Sequence, residues 1–272
     1  IPPCLRGERI AALCITEPSG GSDVANLRTT ARRDGGDFVI DGEKVFITSG
    51  MRADWFTVAV RTGEKGARGV SLIAVPGDVA GLSRSKLEKM GWHASDTAHL
   101  RFDGVRVPAR YLLGQEDQGF RQIMANFNGE RLVLAAGCLG AAQCALDEAL
   151  DWARQRETFG MRLMQHQVVR HKLADMQMRI QATEHWLAAL AQHIDTTGQE
   201  TPEWVAQVCL LKNQATTTMA FCADAAVQTL GGMGFMRGTK SERIYREVKV
   251  NAIGGGTEEI MKELAAKQMG WL

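Results

Sequence analysis

The chain has 272 residues, room for two domains at roughly 150 residues each. With 45% hydrophobic and 23% charged residues, it can bury a substantial core and is not a disordered tail. Lys and Arg total 32 against 31 Asp and Glu, a formal charge of +1, and aromatics make up 6%, so nothing calls for nucleic acid or an anionic membrane as partner. No apolar run approaches the ~20 residues of a membrane span, and no signal peptide is visible. The six cysteines (Cys4, Cys14, Cys138, Cys144, Cys209, Cys222) lack CxxC spacing, which argues for free thiols in a reducing compartment and against a metal site. The chain begins Ile-Pro-Pro-Cys with no initiator Met and reads as a fragment.

Up to about residue 115 short apolar runs alternate with turn residues. Asp37–Ile40 and Glu43–Thr48 flank Asp41-Gly42, the pair that suits a type I′ hairpin. Further strands are expected over Asp54–Arg61, Val70–Val75 and His99–Val107, with no helix of useful length. This spacing predicts a compact antiparallel barrel or sandwich over residues 1–115. From residue 116 the period becomes helical. Long helices are expected from Gly119 to about Arg154 and from Gln165 to His193. A third runs from Thr201-Pro202-Glu203, a well-formed start, to Leu230, and a short one from Thr257 towards Gln268. Residues 116–272 therefore read as an antiparallel helical bundle.

Candidate chemistry sits in a few places. Thr16-Glu17-Pro18-Ser19-Gly20-Gly21-Ser22-Asp23 is either a loop built for close approach to a polar or anionic ligand, or a surface turn. Gly254-Gly255-Gly256-Thr257 precedes a helix N-terminus, as a ligand loop or as a linker. Leu230-Gly231-Gly232-Met233-Gly234 is a weaker signal of the same kind. Glu130 shares its helical spacing with Phe127, Leu134, Gly137 and Ala141. Its carboxyl is thus expected on an inward face, where it would serve as a general base or pair with Arg131. The six histidines form no metal-binding spacing, and neither a GxSxG elbow nor a phosphate-binding GxxxxGK[ST] occurs.

In order along the chain, these pieces resemble the acyl-CoA dehydrogenases. The carriers are Ile15-Thr16-Glu17-Pro18 with Gly21-Ser22-Asp23, then Gly42-Glu43-Lys44-Val45-Phe46-Ile47-Thr48-Ser49-Gly50 and Lys89-Met90-Gly91-Trp92. They continue with Arg154-Gln155-Arg156-Glu157-Thr158-Phe159-Gly160, Gln228-Thr229-Leu230-Gly231-Gly232-Met233-Gly234 and Gly255-Gly256-Thr257-Glu258-Glu259-Ile260. The resemblance covers the family's middle β-barrel and C-terminal four-helix bundle but not its N-terminal helical domain.

It implies FAD as cofactor and α,β-dehydrogenation of an acyl-CoA to the trans-2-enoyl-CoA, with electrons passed to an electron-transfer flavoprotein. Leu13, Ile15, Thr16, Phe46, Ile47 and Thr48 would meet the flavin ring. Arg156, Thr158, Phe159, Gln167, Gln228 and Gly232 would complete a neighbouring subunit's FAD site in a homodimer or homotetramer. Thr257 and Glu259 match further flavin contacts, and Ser22, Arg131 and Gly255 match substrate contacts. Most members carry the catalytic Glu where this chain has Gly255. The long-chain and isovaleryl types place it in a Glu-Arg-Leu segment, here Glu130-Arg131-Leu132, so Glu130 is the expected base. The rival expectations are an acyl-CoA oxidase and a non-catalytic flavin-binding or assembly fragment. The resemblance also implies a bacterial cytoplasmic or mitochondrial matrix enzyme that is not secreted.

Overall fold

A computed structural model describes residues 2–271. The chain divides into two compact units, Ile1–Ala125 and Asn126–Leu272, ten residues beyond the expected boundary at 115. The reason is local. Gly119 lies so close to strand backbone that a Cβ on it would be 2.7 Å from the Ser71 carbonyl carbon, and Gln118 bridges to Val70.

The first unit is one sheet of β1 (Ala11–Cys14), β2 (Thr30–Asp34), β3 (Asp37–Thr48), β4 (Trp55–Arg61), β5 (Val70–Pro76), β6 (Leu82–Lys86), β7 (Thr97–Pro108) and β8 (Leu112–Leu113). The strand order is β6-β7-β3-β2-β4-β5-β8, with β1 beside β4. Most pairs are antiparallel, but β1 runs parallel to β4, and Thr30 and Arg61 join β2 to β4 in parallel, so the sheet is mixed. Phe38, Ile40, Phe56, Val58, Ile73 and Leu100 fill its core. Each such side chain contributes about 1.5–3 kcal/mol of hydrophobic stabilisation.

Asp41-Gly42 is not a hairpin turn. Residues 37–48 form one strand, and the hairpin into it turns at Gly35-Gly36, where Asp34 pairs with Asp37. Gly42 is needed for a different reason: a Cβ there would meet the Thr29 Cα at 2.6 Å. Opposite it, β7 carries an extra residue, since Ile40 faces Val105 and Gly42 faces Phe102. Gly104 takes up the bulge at φ +62°, with its N–H donating to the Asp41 carboxylate.

Besides one-turn helices at Pro2–Leu5 and Gly232–Phe235, the helices are α1 (Gly119–Gln155), α2 (Gln167–Thr197), α3 (Pro202–Leu230), α4 (Lys240–Ile253) and α5 (Glu258–Gln268). Side chains from α1 through α4 share the core of the second unit, among them Ala142, Leu146, Met176, Leu211 and Ile244. Met261 and Ala265 of α5 pack on Ala206 and Cys209 of α3. Thr201 caps α3 by accepting from the Trp204 N–H at 3.2 Å, and Thr257 caps α5. The sequence reading missed α4, which Thr239 caps by accepting from the Glu242 N–H. By length and composition alone helix α1 passes for a membrane-crossing helix, as buried core helices also do. Its stripe Ala135, Cys138, Ala142, Ala145, Ala149 and Ala153 is buried in the bundle core.

Candidate functional site

In the first unit the two expected cofactor segments are stitched side by side. The Val45 N–H donates to the Thr16 carbonyl at 2.9 Å. Beneath that bond lies an ion pair: the Lys44 Nζ donates to Glu17 Oε1 at 2.8 Å and to the Ile15 carbonyl at 3.0 Å. The two side chains are 0% and 4% exposed. The N–H groups of Arg28 and Thr29 also donate to the Glu17 carboxylate, at 2.6 and 2.9 Å. Burial alone would raise the Glu17 carboxyl, but the Lys44 charge and these N–H donors outweigh it and hold it below the ordinary range. Burial draws the Lys44 ammonium down, against the pull of Glu17.

Directly after Lys44 the strand bulges. Lys44 faces Leu100 and Ile47 faces Ala98, so three steps on β3 oppose two on β7. Phe46 takes up the extra residue at φ +61° and is 68% exposed, as bulges are able to re-aim a side chain. Leu13, Ser22 and Thr48 are exposed and Thr16 is half-buried, whereas Ile15 and Ile47 are buried in the sheet core. Of the expected ring contacts in this unit, Ile15 and Ile47 can therefore offer only backbone. An open phenyl ring, an open leucine and two threonine hydroxyls match the apolar faces and polar edge of an isoalloxazine, so this edge fits a flavin.

In the second unit Glu130 does not face the core. The buried face of α1 is offset by one residue and runs through Asn128, Arg131, Ala135 and Cys138. Glu130 is exposed, with its Oε1 accepting from the Asn126 amide at 2.6 Å. Arg131 is the inward residue, 4% exposed. Its Nε donates to the Gly255 carbonyl at 3.1 Å and another guanidinium nitrogen to Asn128 Oδ1 at 3.0 Å. Lys212, which sequence reasoning missed, is also buried and donates to the carbonyls of Gly256 and Ala252 at 2.7 and 3.3 Å. Asn213 donates to the Glu258 carbonyl at 2.9 Å, while its own Oδ1 is buried without a partner. Burial pushes both Arg131 and Lys212 below their ordinary values.

The glycine loop is thus held by its carbonyls. Gly255 sits at φ +69°, and a Cβ there would lie 2.8 Å from Leu134 Cδ1. Glu130 and Leu134 are four apart on α1 and so share a face. Gly255 is therefore seated on the stretch of α1 that carries Glu130, through Arg131 and Leu134. Thr257 caps α5 from this loop, and the Glu259 carboxyl is held low by its own N–H and the Thr257 hydroxyl.

The remaining expected residues lie elsewhere in this unit. Glu157-Thr158 pairs with Met161-Arg162 as a tight hairpin. Phe159 and Gly160 at its tip have φ +53° and +78°, as a type I′ turn requires. Phe159 is 95% exposed, its ring edge-on to His166 at 6.4 Å. Arg156 and Gln167 flank the hairpin in the open, and Gln228 and Gly232 are exposed around the end of α3. About 25 residues of α1 separate Glu130 from this hairpin, roughly 38 Å at 1.5 Å per residue.

Comparison with known proteins matches residues 12–105 to the family profile described as acyl-CoA dehydrogenase, middle domain. Residues 117–270 match the profile for acyl-CoA dehydrogenase, C-terminal domain. The chain is 37% identical over 273 residues to the rat mitochondrial long-chain specific acyl-CoA dehydrogenase, spanning 99% of this chain and 63% of the rat protein. A probable acyl-CoA dehydrogenase of Mycobacterium abscessus superposes with a TM-score of 0.95 at 47% identity, covering 98% of this chain and 70% of that one. A glutaryl-CoA dehydrogenase of Mycobacterium smegmatis, solved with FADH2, gives a TM-score of 0.93 at 28% identity, covering 100% and 68%. The chain spans about two thirds of the length of the curated relatives it matches.

Proposed function

The chain belongs to the acyl-CoA dehydrogenase family, and on that premise we propose that it takes part in FAD-dependent α,β-dehydrogenation of an acyl-CoA thioester, with Glu130 as the base. The observation that carries this reading is that Gly255 is seated on α1 by Arg131 and Leu134, the residue next to Glu130 and the residue four positions on. Where most members place a carboxylate this chain has none, and the nearest turn of α1 supplies one that is open.

FAD held along Leu13–Thr16 and Phe46–Thr48 would supply the two-electron acceptor that takes the β-hydrogen as hydride. The protein's part is to hold and deprotonate. Glu130 removes the α-proton from Cα of the thioester. Arg131 and Lys212 draw the loop carbonyls inward and so turn N–H groups of the trans peptides the other way. Donors there stabilise negative charge developing on the thioester oxygen, which makes the α-proton easier to remove. Ser22, exposed on its glycine loop, is a further acyl-CoA contact.

The hairpin around Phe159 supports a homo-oligomeric site. One flavin dinucleotide cannot reach both Glu130 and a group roughly 38 Å along the same helix, so Arg156, Thr158, Phe159 and Gln167, with Gln228 and Gly232, serve a second copy. The partner that would collect the two electrons is an electron-transfer flavoprotein.

The test is an anaerobic titration of the flavin-loaded protein with acyl-CoA esters of graded length and branching. Bleaching of the oxidised flavin band by at least one ester supports the reading and defines the acyl class. A fully flavin-loaded protein that no ester bleaches rules it out.

A further inference from the structure

Lys44 stands at an inward position of β3, between Ile40 and Ile47 in the core, where strand alternation asks for an apolar side chain. A buried charge is costly unless paired, and a buried pair is often no more stable than apolar residues of the same volume. Its retention therefore points to geometry rather than to stability. The geometry is specific. The ammonium holds the Ile15 carbonyl and the Glu17 carboxylate, and the next residue, Val45, holds the Thr16 carbonyl. Each of residues 15–17 is tied to residues 44–45. On the outer side of these ties stand Leu13, Thr16, Phe46 and Thr48, and Phe46 is left-handed immediately beyond Val45.

We propose that the Glu17–Lys44 pair is a positioning device for FAD, fixing the spacing between the Leu13–Thr16 and Phe46–Thr48 segments before the cofactor arrives. The proposal rests on the flavin reading above. With 0% and 4% of their side chains exposed, neither residue touches the cofactor; they act through the backbone they hold. An edge preset in this way binds without the cost of ordering it.

The experiment titrates cofactor-free protein with FAD, following flavin fluorescence and the visible bands, in wild type and in the double variant Glu17→Gln/Lys44→Met. The double variant replaces both charges with neutral side chains of similar size. The expected result is at least fivefold weaker FAD binding and altered visible bands at saturation, with the melting temperature of the cofactor-free protein little changed. A pair that is only structural would lower that melting temperature and leave the FAD dissociation constant alone, and binding less than fivefold weaker overturns the proposal. If the double variant does not fold, Glu17→Asp, which keeps both charges but shortens the reach, is read by the same criterion. Wild type that takes up no FAD overturns the flavin reading together with the proposal; wild-type binding with unaltered variants overturns the proposal alone.

Discussion

Leu134 lies against the bare Cα of Gly255 so closely that a single added methyl group would come within 2.8 Å of its Cδ1. The leucine thus occupies the direction in which a side chain at position 255 would start, and the backbone there is left-handed at φ +69°. Gly255→Ala is expected to cost about 1–3 kcal/mol from overpacking and strain. Repeating the change in a Leu134→Ala background should recover part of that cost. Urea unfolding of the four proteins measures both steps; equal costs in the two backgrounds would remove Leu134 from the explanation.

Glu130→Gln should keep the FAD content of the wild type and lose turnover by a factor on the order of 10³ or more. Steady-state rates on the best acyl-CoA, normalised to bound flavin, check this. Wild-type turnover in the variant would refute the assignment of the base.

The buried pair makes a separate stability prediction. Lys44→Met leaves the Glu17 carboxylate buried beside two N–H donors but without its cation, and should cost about 3–5 kcal/mol. Glu17→Gln should cost less, because its amide oxygen still accepts from one of the N–H groups of Arg28 and Thr29. The double change should cost less than the sum of the two. A double-mutant cycle in denaturant gives the coupling; additive costs would mean that the two side chains do not depend on each other.

Glu148 gives a pH dependence. Burial would raise its carboxyl, but the Ser241 hydroxyl and the N–H groups of Ser241 and Lys240 donate to it and bring it below the ordinary value. A carboxylate depressed in the folded state adds stability that is fully present above its unfolded value and is lost as pH falls through the folded one. Helix α4 should therefore loosen in acid, and Glu148→Gln should flatten that slope between neutral pH and the acidic end. Unfolding free energies across the range decide it; parallel curves for the two proteins would be the contrary result.

Phe159→Ala should leave the folding stability of the separate chain within about 0.5 kcal/mol, since the ring packs on little but His166. The same change should weaken FAD retention and oligomer formation together. Sedimentation and flavin content read side by side test this, and unaltered assembly with full flavin would mean that the hairpin serves no second copy.

Much of the fold was legible because period and punctuation are local signals. The switch from strands to helices, the Thr201-Pro202 start and the Thr257 cap all lie within a few residues of the feature they mark. Two misreadings share another cause. Asp41-Gly42 carries hairpin chemistry, yet Gly42 answers to the close approach of Thr29 and to a bulge on β7, both distant in sequence. In the Glu130-Arg131 pair, periodicity alone could not choose which charged residue points inward. Arginine wins because its long stem packs while its head finds the Gly255 carbonyl. Lys44 and Lys212 look like surface cations in sequence, and only their carbonyl and carboxylate partners make burial possible. Helix α4 was missed although Thr239 and Glu242 have the spacing of an N-terminal capping pair.

The extra residue of β3 between Lys44 and Ile47 also restricts how this protein can evolve. It resets the phase of the strand, so that Lys44 and Ile47, an odd number of steps apart, both turn inward. Run through in regular alternation, the same three steps would turn Ile47 out into water and Thr48 into the core, whereas losing one residue would erase the bulge and leave Ile47 facing inward opposite Ala98. Shortening this stretch by one residue would thus spare the core and give up the outward, left-handed display of Phe46 instead.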